Sequence, residues 1–262
     1  MKPCLVLLLM LGGAASEGVE KRVVGSKPCG KERQYHVQVE SIQGGSFCGG
    51  SLLNTRWILT ASHCAERMVK VKIGLNHDVA WYKNAISFMK GKTKRNEQDI
   101  KVEQQFTFKG EDEKAHDIML IKLNEDVSSK LPIIELPPAD SCAKPNQGTK
   151  VRIGGWGAKK ADVTKVKTPK DLRCATTAIA ACGEDAKSDE KYHSDETNTM
   201  CAWKPGVEAC QGDAGSAVED NGVLYGVIVS NPVDECANPI KILDICHYRQ
   251  WIDETIRKNW QL

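Results

Sequence analysis

Residues 210–217 read Cys210-Gln211-Gly212-Asp213-Ala214-Gly215-Ser216-Ala217. Two upstream stretches give this octapeptide its meaning. The first is Trp57-Ile58-Leu59-Thr60-Ala61-Ser62-His63-Cys64, and the second is His116-Asp117-Ile118-Met119-Leu120-Ile121-Lys122-Leu123. A single histidine is more often structural than chemical. A histidine, then an aspartate, then a glycine-bracketed loop is a chain order that supplies a base, its orienting carboxylate and a nucleophile turn. The centre of this loop, however, is alanine.

The surrounding sequence reads as all-β. Short runs rich in β-branched and aromatic residues, bounded by Gly, Pro, Asn and Asp, recur at Tyr35–Val39, Trp57–Thr60, Val69–Ile73, Ile118–Leu123, Val151–Ile153 and Leu224–Ser230. One helix is expected at the C-terminus, where Tyr248, Ile252, Ile256 and Trp260 recur at four-residue steps. The polar, proline-containing stretch 131–147 reads as the join between an N-terminal half (23–135) and a C-terminal half (136–262).

Residues 1–16 have the layout of a secretory signal peptide: Lys2, an apolar run over Leu5–Leu11, then small residues to Ser16. The run is far below the ~20 residues that a membrane span needs, so no membrane association is expected. Residues 17–22 end in Lys21-Arg22 and read as a short pro-segment before Val23-Val24-Gly25-Ser26. The chain has 11 cysteines, of which Cys4 leaves with the signal. The even remainder, in a chain bound for an oxidising compartment, predicts disulfides rather than metal ligands. The net charge of +2 gives no reason to expect nucleic acid as a partner. No Asn-x-Ser/Thr sequon occurs.

Together with Phe47-Cys48-Gly49-Gly50-Ser51-Leu52 and Gly155-Trp156-Gly157, these motifs resemble the trypsin/chymotrypsin family of serine proteases over essentially residues 23–262. The resemblance implies two antiparallel six-stranded β-barrels with a cleft between them and a C-terminal α-helix. It implies the disulfides Cys48–Cys64, Cys29–Cys174, Cys142–Cys246, Cys182–Cys201 and Cys210–Cys236. By the same resemblance His63 is the base, Asp117 orients it, and Ser230 supports the aspartate. Gly212 and Ala214 offer backbone N–H groups to an oxyanion. Ala214 stands where the family carries its nucleophilic serine, and a methyl group can be neither deprotonated nor acylated. Losing that group lowers turnover roughly 10⁶-fold in such enzymes. Ser216, two residues along the same tight turn, is expected to point elsewhere.

The resemblance also marks a substrate pocket, and here the chain departs from the family. Gly215-Ser216-Ala217 stands for Gly-Gly-Pro, and Ser230-Asn231-Pro232 stands for Ser-Trp-Gly. Asparagine removes a large apolar wall, and proline cannot donate a substrate-pairing N–H. Glu208 falls at the pocket base, where it is either a partner for Arg or Lys side chains or an ordinary loop carboxylate. Ile240 falls where a pocket-lining glycine is usual, and its side chain would fill the pocket.

A cut after Arg22 would free an amino group at Val23, which the resemblance pairs with Asp213. No cofactor is expected, and no calcium at Leu75, Asn76 and His77, which do not reproduce the family's first acidic ligand. Two basic clusters, Lys90–Arg95 and Lys159, Lys160, Lys165, Lys167 and Lys170, are either polyanion-binding or solvated loops. The expectation is a secreted, monomeric protease homologue without peptidase activity, binding a protein partner or polypeptide ligand. The alternatives are an Arg/Lys-directed endopeptidase using Glu208 and a polyanion- or microbe-binding defence protein.

Overall fold

The computed structural model describes residues 26–43, 47–76, 97–157, 171–183, 190–230 and 236–260. These form two antiparallel sheets. The first comprises β2 (His36–Ser41), β3 (Phe47–Leu52), β4 (Trp57–Thr60), β5 (Val69–Lys72), β6 (Glu97–Ile100), β7 (Gln105–Lys109) and β8 (Ala115–Lys122), in the order β6-β5-β2-β3-β4-β8-β7. The second comprises β1 (Lys27–Pro28), β9 (Lys150–Gly155), β10 (Arg173–Ala180), β11 (Thr199–Trp203), β12 (Ala217–Asp220), β13 (Val223–Ile228) and β14 (Ile240–Asp244). Its order is β1-β10-β11-β14-β13-β12-β9, and β9 pairs with β10 as well, which closes the sheet into a barrel.

Each sheet therefore has seven strands rather than the expected six. In the second, the extra strand is the two-residue β1, which pairs Lys27 and Pro28 with Cys174 and Arg173. In the first, β6 and β7 are separated only by a 3₁₀ turn over Val102–Gln104, so a bend at that corner divides one stretch of chain into two strands.

The sequence pattern accounts for the packing. Trp57, Ile58, Leu59 and the run Ile118–Leu120 are almost wholly buried, because β4 and β8 pair centrally in their sheet. Trp57 meets Phe106 in a tilted ring contact at 5.4 Å. The largest apolar cluster runs from this barrel through Ala214, Ala217 and Val227 of the second half to Tyr248 and Ile252 of the helix. A separate cluster fills the second barrel.

The C-terminal helix spans Ile245–Lys258. Asp244 caps it by accepting the Cys246 N–H at 3.1 Å, and Arg257 and Lys258 suit the negative end of the helix dipole. Tyr248 and Ile252 continue the predicted apolar face into the core, but Trp260 does not. The helix stops at Lys258, and Trp260 is 58% exposed.

Five disulfides join the pairs that the resemblance implies: Cys29–Cys174, Cys48–Cys64, Cys142–Cys246, Cys182–Cys201 and Cys210–Cys236. One buried ion pair also ties the two halves. Arg33 reaches Glu219 Oε1 at 3.2 Å, with side-chain exposures of 0% and 6%. Among the described residues no helix is long and apolar enough to cross a membrane.

Candidate active site

Three local devices bring the motif residues together. His63 sits in a single 3₁₀ turn, Ser62–Cys64, directly after β4. The Cys48–Cys64 disulfide ties this turn to β3, and Ser62 Oγ donates to His116 O at 3.2 Å. Asp117 is a buried residue of β8. Its Oδ2 lies 2.7 Å from His63 Nδ1, and its Oδ1 accepts the His63 backbone N–H at 2.9 Å. This double contact fixes the ring's orientation and makes Nδ1 the protonated nitrogen, so that Nε2 is left as the basic one.

The Cys210–Ala217 loop is anchored from both halves. Gly49 N donates to Ala214 O at 2.8 Å, and Gly215 N donates to Ile228 O at 2.8 Å. Gly215 has φ +79°, and a β-carbon there would collide with the Gly49 carbonyl oxygen and Thr60 Oγ1. Glycine is required on both counts. Asp213 is buried, and its carboxylate accepts N–H groups of Gly157 and Cys210, each at 2.9 Å. Burial nevertheless pushes its pKa up to about 6, with those two bonds opposing the shift.

His63, Gly212, Ala214 and Ser230 line one cleft of about 600 Å³. Among the described residues, no protein acceptor takes the backbone N–H of Gly212 or of Ala214. Ser216 is fully buried, and its hydroxyl has no hydrogen-bond partner among the described residues. A β-carbon on Gly49 would overlap it, so it lies packed between the halves.

One sequence-derived assignment needs correction. Ser230 Oγ accepts the Lys241 N–H at 2.7 Å and makes no hydrogen bond to Asp117 among the described residues. The β14 strand, running beside Ser230, takes up the hydroxyl that was expected to support the aspartate. Glu208 and Ile240 are not among the residues that line the cleft beside His63, and the loop 231–235, which would wall their expected pocket, lies outside the described residues. Glu208 is half-buried between the bridge-forming residues Val207 and Ala209. Ile240 pairs with Ala202 across β11 and β14. It is fully buried in the second-barrel cluster that also holds Val207 and Ala209. Val23, Asn231, Pro232, His77 and both basic clusters lie outside the described residues.

The sequence reading missed the rim of the cleft. Glu66, whose φ is +62°, accepts the Tyr192 hydroxyl at 2.6 Å and pairs with Lys191. The loop after His63 is thus joined to the loop before β11, and Glu66, Arg67 and Lys191 make the cleft wall strongly polar. No local motif marks this contact, which exists only once the halves are docked. The Cys48, His63 and Cys64 ligand atoms lie close together, but both sulfurs are consumed in the disulfide and offer no thiolate to a metal.

Comparisons with known proteins agree with this geometry. The family model described as Trypsin matches residues 23–252. A trypsin of Xenopus laevis is 31% identical, covering 97% of this chain and 99% of its own length. Serine protease 1 of Homo sapiens is 31% identical, covering 99% of this chain and 100% of its own. The solved structure of neuropsin, a serine protease expressed in the limbic system of mouse brain, superposes with a TM-score of 0.63 at 26% identity. That match covers 88% of this chain and 98% of the neuropsin chain.

Proposed function

Because the chain belongs to the trypsin family, we propose that it is a secreted protease homologue without peptidase activity, which binds a polypeptide or regulates a partner protein. The observation that carries this reading is the methyl group of Ala214, which lines the same cleft as the His63–Asp117 pair. His63 and Asp117 have the geometry of a base and its orienting carboxylate. Among the described residues, no protein acceptor takes the Gly212 and Ala214 N–H groups, which supports a place where a carbonyl oxygen could be received. What is absent is a hydroxyl from which His63 could take a proton and to which an acyl group could transfer.

Neither serine near it among the described residues is placed to substitute for it. Ser216 is sealed between the two halves. Ser230 Oγ is occupied by the Lys241 N–H. The pocket points the same way. Ile240 is embedded in apolar core with Val207 and Ala209, the neighbours of Glu208, which supports a pocket reshaped against a long basic substrate side chain.

The test is fluorophosphonate labelling and Arg/Lys ester hydrolysis by the protein cut after Arg22, beside its Ala214→Ser variant. The natural protein is expected to remain unlabelled and inert. Labelling or turnover by the natural protein would overturn the reading and return the chain to the activity its relatives' names carry.

A further inference from the structure

The loop before β11 is tied down at two points, one on each side of the His63–Asp117 pair. At the first, His193 N donates to Ala115 O at 2.8 Å, just before Asp117 in β8, and His193 bridges His116 in parallel. At the second, Glu66, in the loop that follows the His63 turn, accepts the Tyr192 hydroxyl at 2.6 Å and pairs with Lys191. The chain between these anchors passes beside both members of the pair. On the reading of this cleft as a polypeptide-binding site, we propose that Lys191–His193 is a strap closing the cleft beside His63, with the Glu66 carboxylate as its latch. An extended polypeptide reaches His63 only when that latch is open.

Glu66 is held in place to make this contact. Its φ of +62° lies in the left-handed region, which side chains other than glycine seldom occupy. Gln105, the first residue of β7, brackets it. Gln105 Oε1 accepts the Glu66 N–H at 2.8 Å, and Gln105 Nε2 donates to Arg67 O at 2.6 Å. With the backbone fixed on both sides, the carboxylate is aimed at the strap. Its two oxygens are divided between the strap's two donors, Oε1 to the Tyr192 hydroxyl and Oε2 to Lys191 Nζ. Lys191 Nζ also lies 5.4 Å from the centre of the Tyr192 ring, so the ammonium and the hydroxyl converge on one acceptor.

The exposures fit a covered site. Tyr192 is 5% exposed although it belongs to a loop, and the His63 side chain is 8% exposed although it lines the cleft. The two anchors differ in kind. The His193 anchor is a backbone bond, and Asp195 secures the chain beyond it by accepting the Thr197 N–H at 2.8 Å and the Thr197 hydroxyl at 2.6 Å. The Glu66 anchor is one hydroxyl bond and an exposed ion pair, a kind of contact that contributes little stability and is screened by salt. Release therefore begins at Glu66, while His193 keeps the strap attached to β8.

The test is the rate at which diethyl pyrocarbonate acylates His63 in the full mature protein, resolved by peptide mass, with the exposed His247 as internal reference. A strap that slows so small a reagent excludes a polypeptide more strongly. The reagent acylates an unprotonated imidazole nitrogen and needs no nucleophilic serine. Peptidase activity in the natural protein would thus sink the proposed function and leave this readout intact. Tyr192→Phe and Glu66→Ala should each speed His63 acylation roughly tenfold, the population shift that follows loss of a hydrogen bond to a charged group, with His247 unchanged. Tyr192→Phe leaves every charge in place, so a rise there reports access and not a change in the reactivity of the ring. Unchanged His63 rates in both variants, or a rise confined to Glu66→Ala, would overturn the proposal.

Discussion

The two walls of the cleft have been preserved to different depths. On the first-barrel wall, His63 and Asp117 keep both geometry and chemistry: a 2.7 Å side-chain contact, a buried carboxylate and a ring held in one orientation. On the second-barrel wall the Cys210–Ala217 loop has its geometry, and we propose that it lacks the chemistry. Its glycine at 215, its buried Asp213 and its bonds to Gly49 and Ile228 are intact, while the side chain at its apex is a methyl. The backbone of the loop is held by packing and hydrogen bonds that would exist whatever Ala214 carried. The loop fold is therefore a requirement of docking the two halves, and the presence of that fold says nothing by itself about turnover.

The sharpest way to break this contrast is Ala214→Ser. If the second wall lacks only a hydroxyl, the variant should gain phosphonate labelling and ester hydrolysis from an undetectable base, within the roughly 10⁶-fold range that separates such enzymes from their nucleophile-less forms. Failure to gain labelling would place a further obstacle in the cleft, with the Glu66 rim as its first candidate.

Next in size is the junction itself. Removing Arg33 while keeping Glu219 strands a buried carboxylate, and such losses cost about 3–5 kcal/mol. Arg33→Ala should lower unfolding stability by that order in urea melts. Arg33→Met combined with Glu219→Leu should recover most of it. A loss below about 1 kcal/mol in the single variant would mean that the pair does not join the barrels as its burial suggests.

Parts of both walls were legible in the sequence. The His63 and Asp117 segments declare themselves because each is a buried strand ending in, or carrying, a polar residue. The five disulfide pairings were legible only through the family resemblance, and the structure joins the same pairs. Other parts were not legible. Alternation assigns a residue to a face of a strand but not to a partner. The resemblance supplied a partner for Ser230 in Asp117, whereas the adjacent β14 backbone holds that hydroxyl, and it placed Ile240 at a pocket, where the structure shows a fully buried residue of the second-barrel cluster. Four-residue spacing carried the helix face to Trp260 because periodicity does not register where a helix ends. The Glu66–Tyr192 contact and the seating of His193 on β8 arise only from the docking of segments distant in sequence.

The pH behaviour of Asp213 probes what holds the loop's geometry. Its carboxyl titrates at about 6 in the fold against 3.8 for the free group. Between those values the folded state binds more protons than the unfolded one. Stability from this group is therefore greatest below about pH 4 and falls as pH rises through 6, by about 3 kcal/mol in all. In protein still carrying residues 17–22, the stability of the wild type relative to Asp213→Asn should decline by that order from pH 4 to pH 7. Cutting after Arg22 should reverse the trend near neutrality if the amino group of Val23 reaches the carboxylate. Parallel pH profiles for the two proteins in both forms would refute the prediction.

The smallest effect tests the claim that Ser216 is structural and not a displaced nucleophile. Among the described residues its hydroxyl is fully buried without a partner, as are the ring nitrogens of His36, which packs against the same Gly49 position. An unsatisfied buried hydroxyl costs about 1–3 kcal/mol in desolvation, set against the packing lost with one oxygen atom. Ser216→Ala should therefore raise the urea midpoint, by about 1 kcal/mol in stability, without changing labelling of the Ala214→Ser protein. A loss of stability would mean that the hydroxyl is satisfied through bound water, as a polar site between the barrels would allow. A loss of labelling would instead tie Ser216 to the chemistry of the cleft, and the division between a wall that reacts and a wall that is merely folded would have to be redrawn.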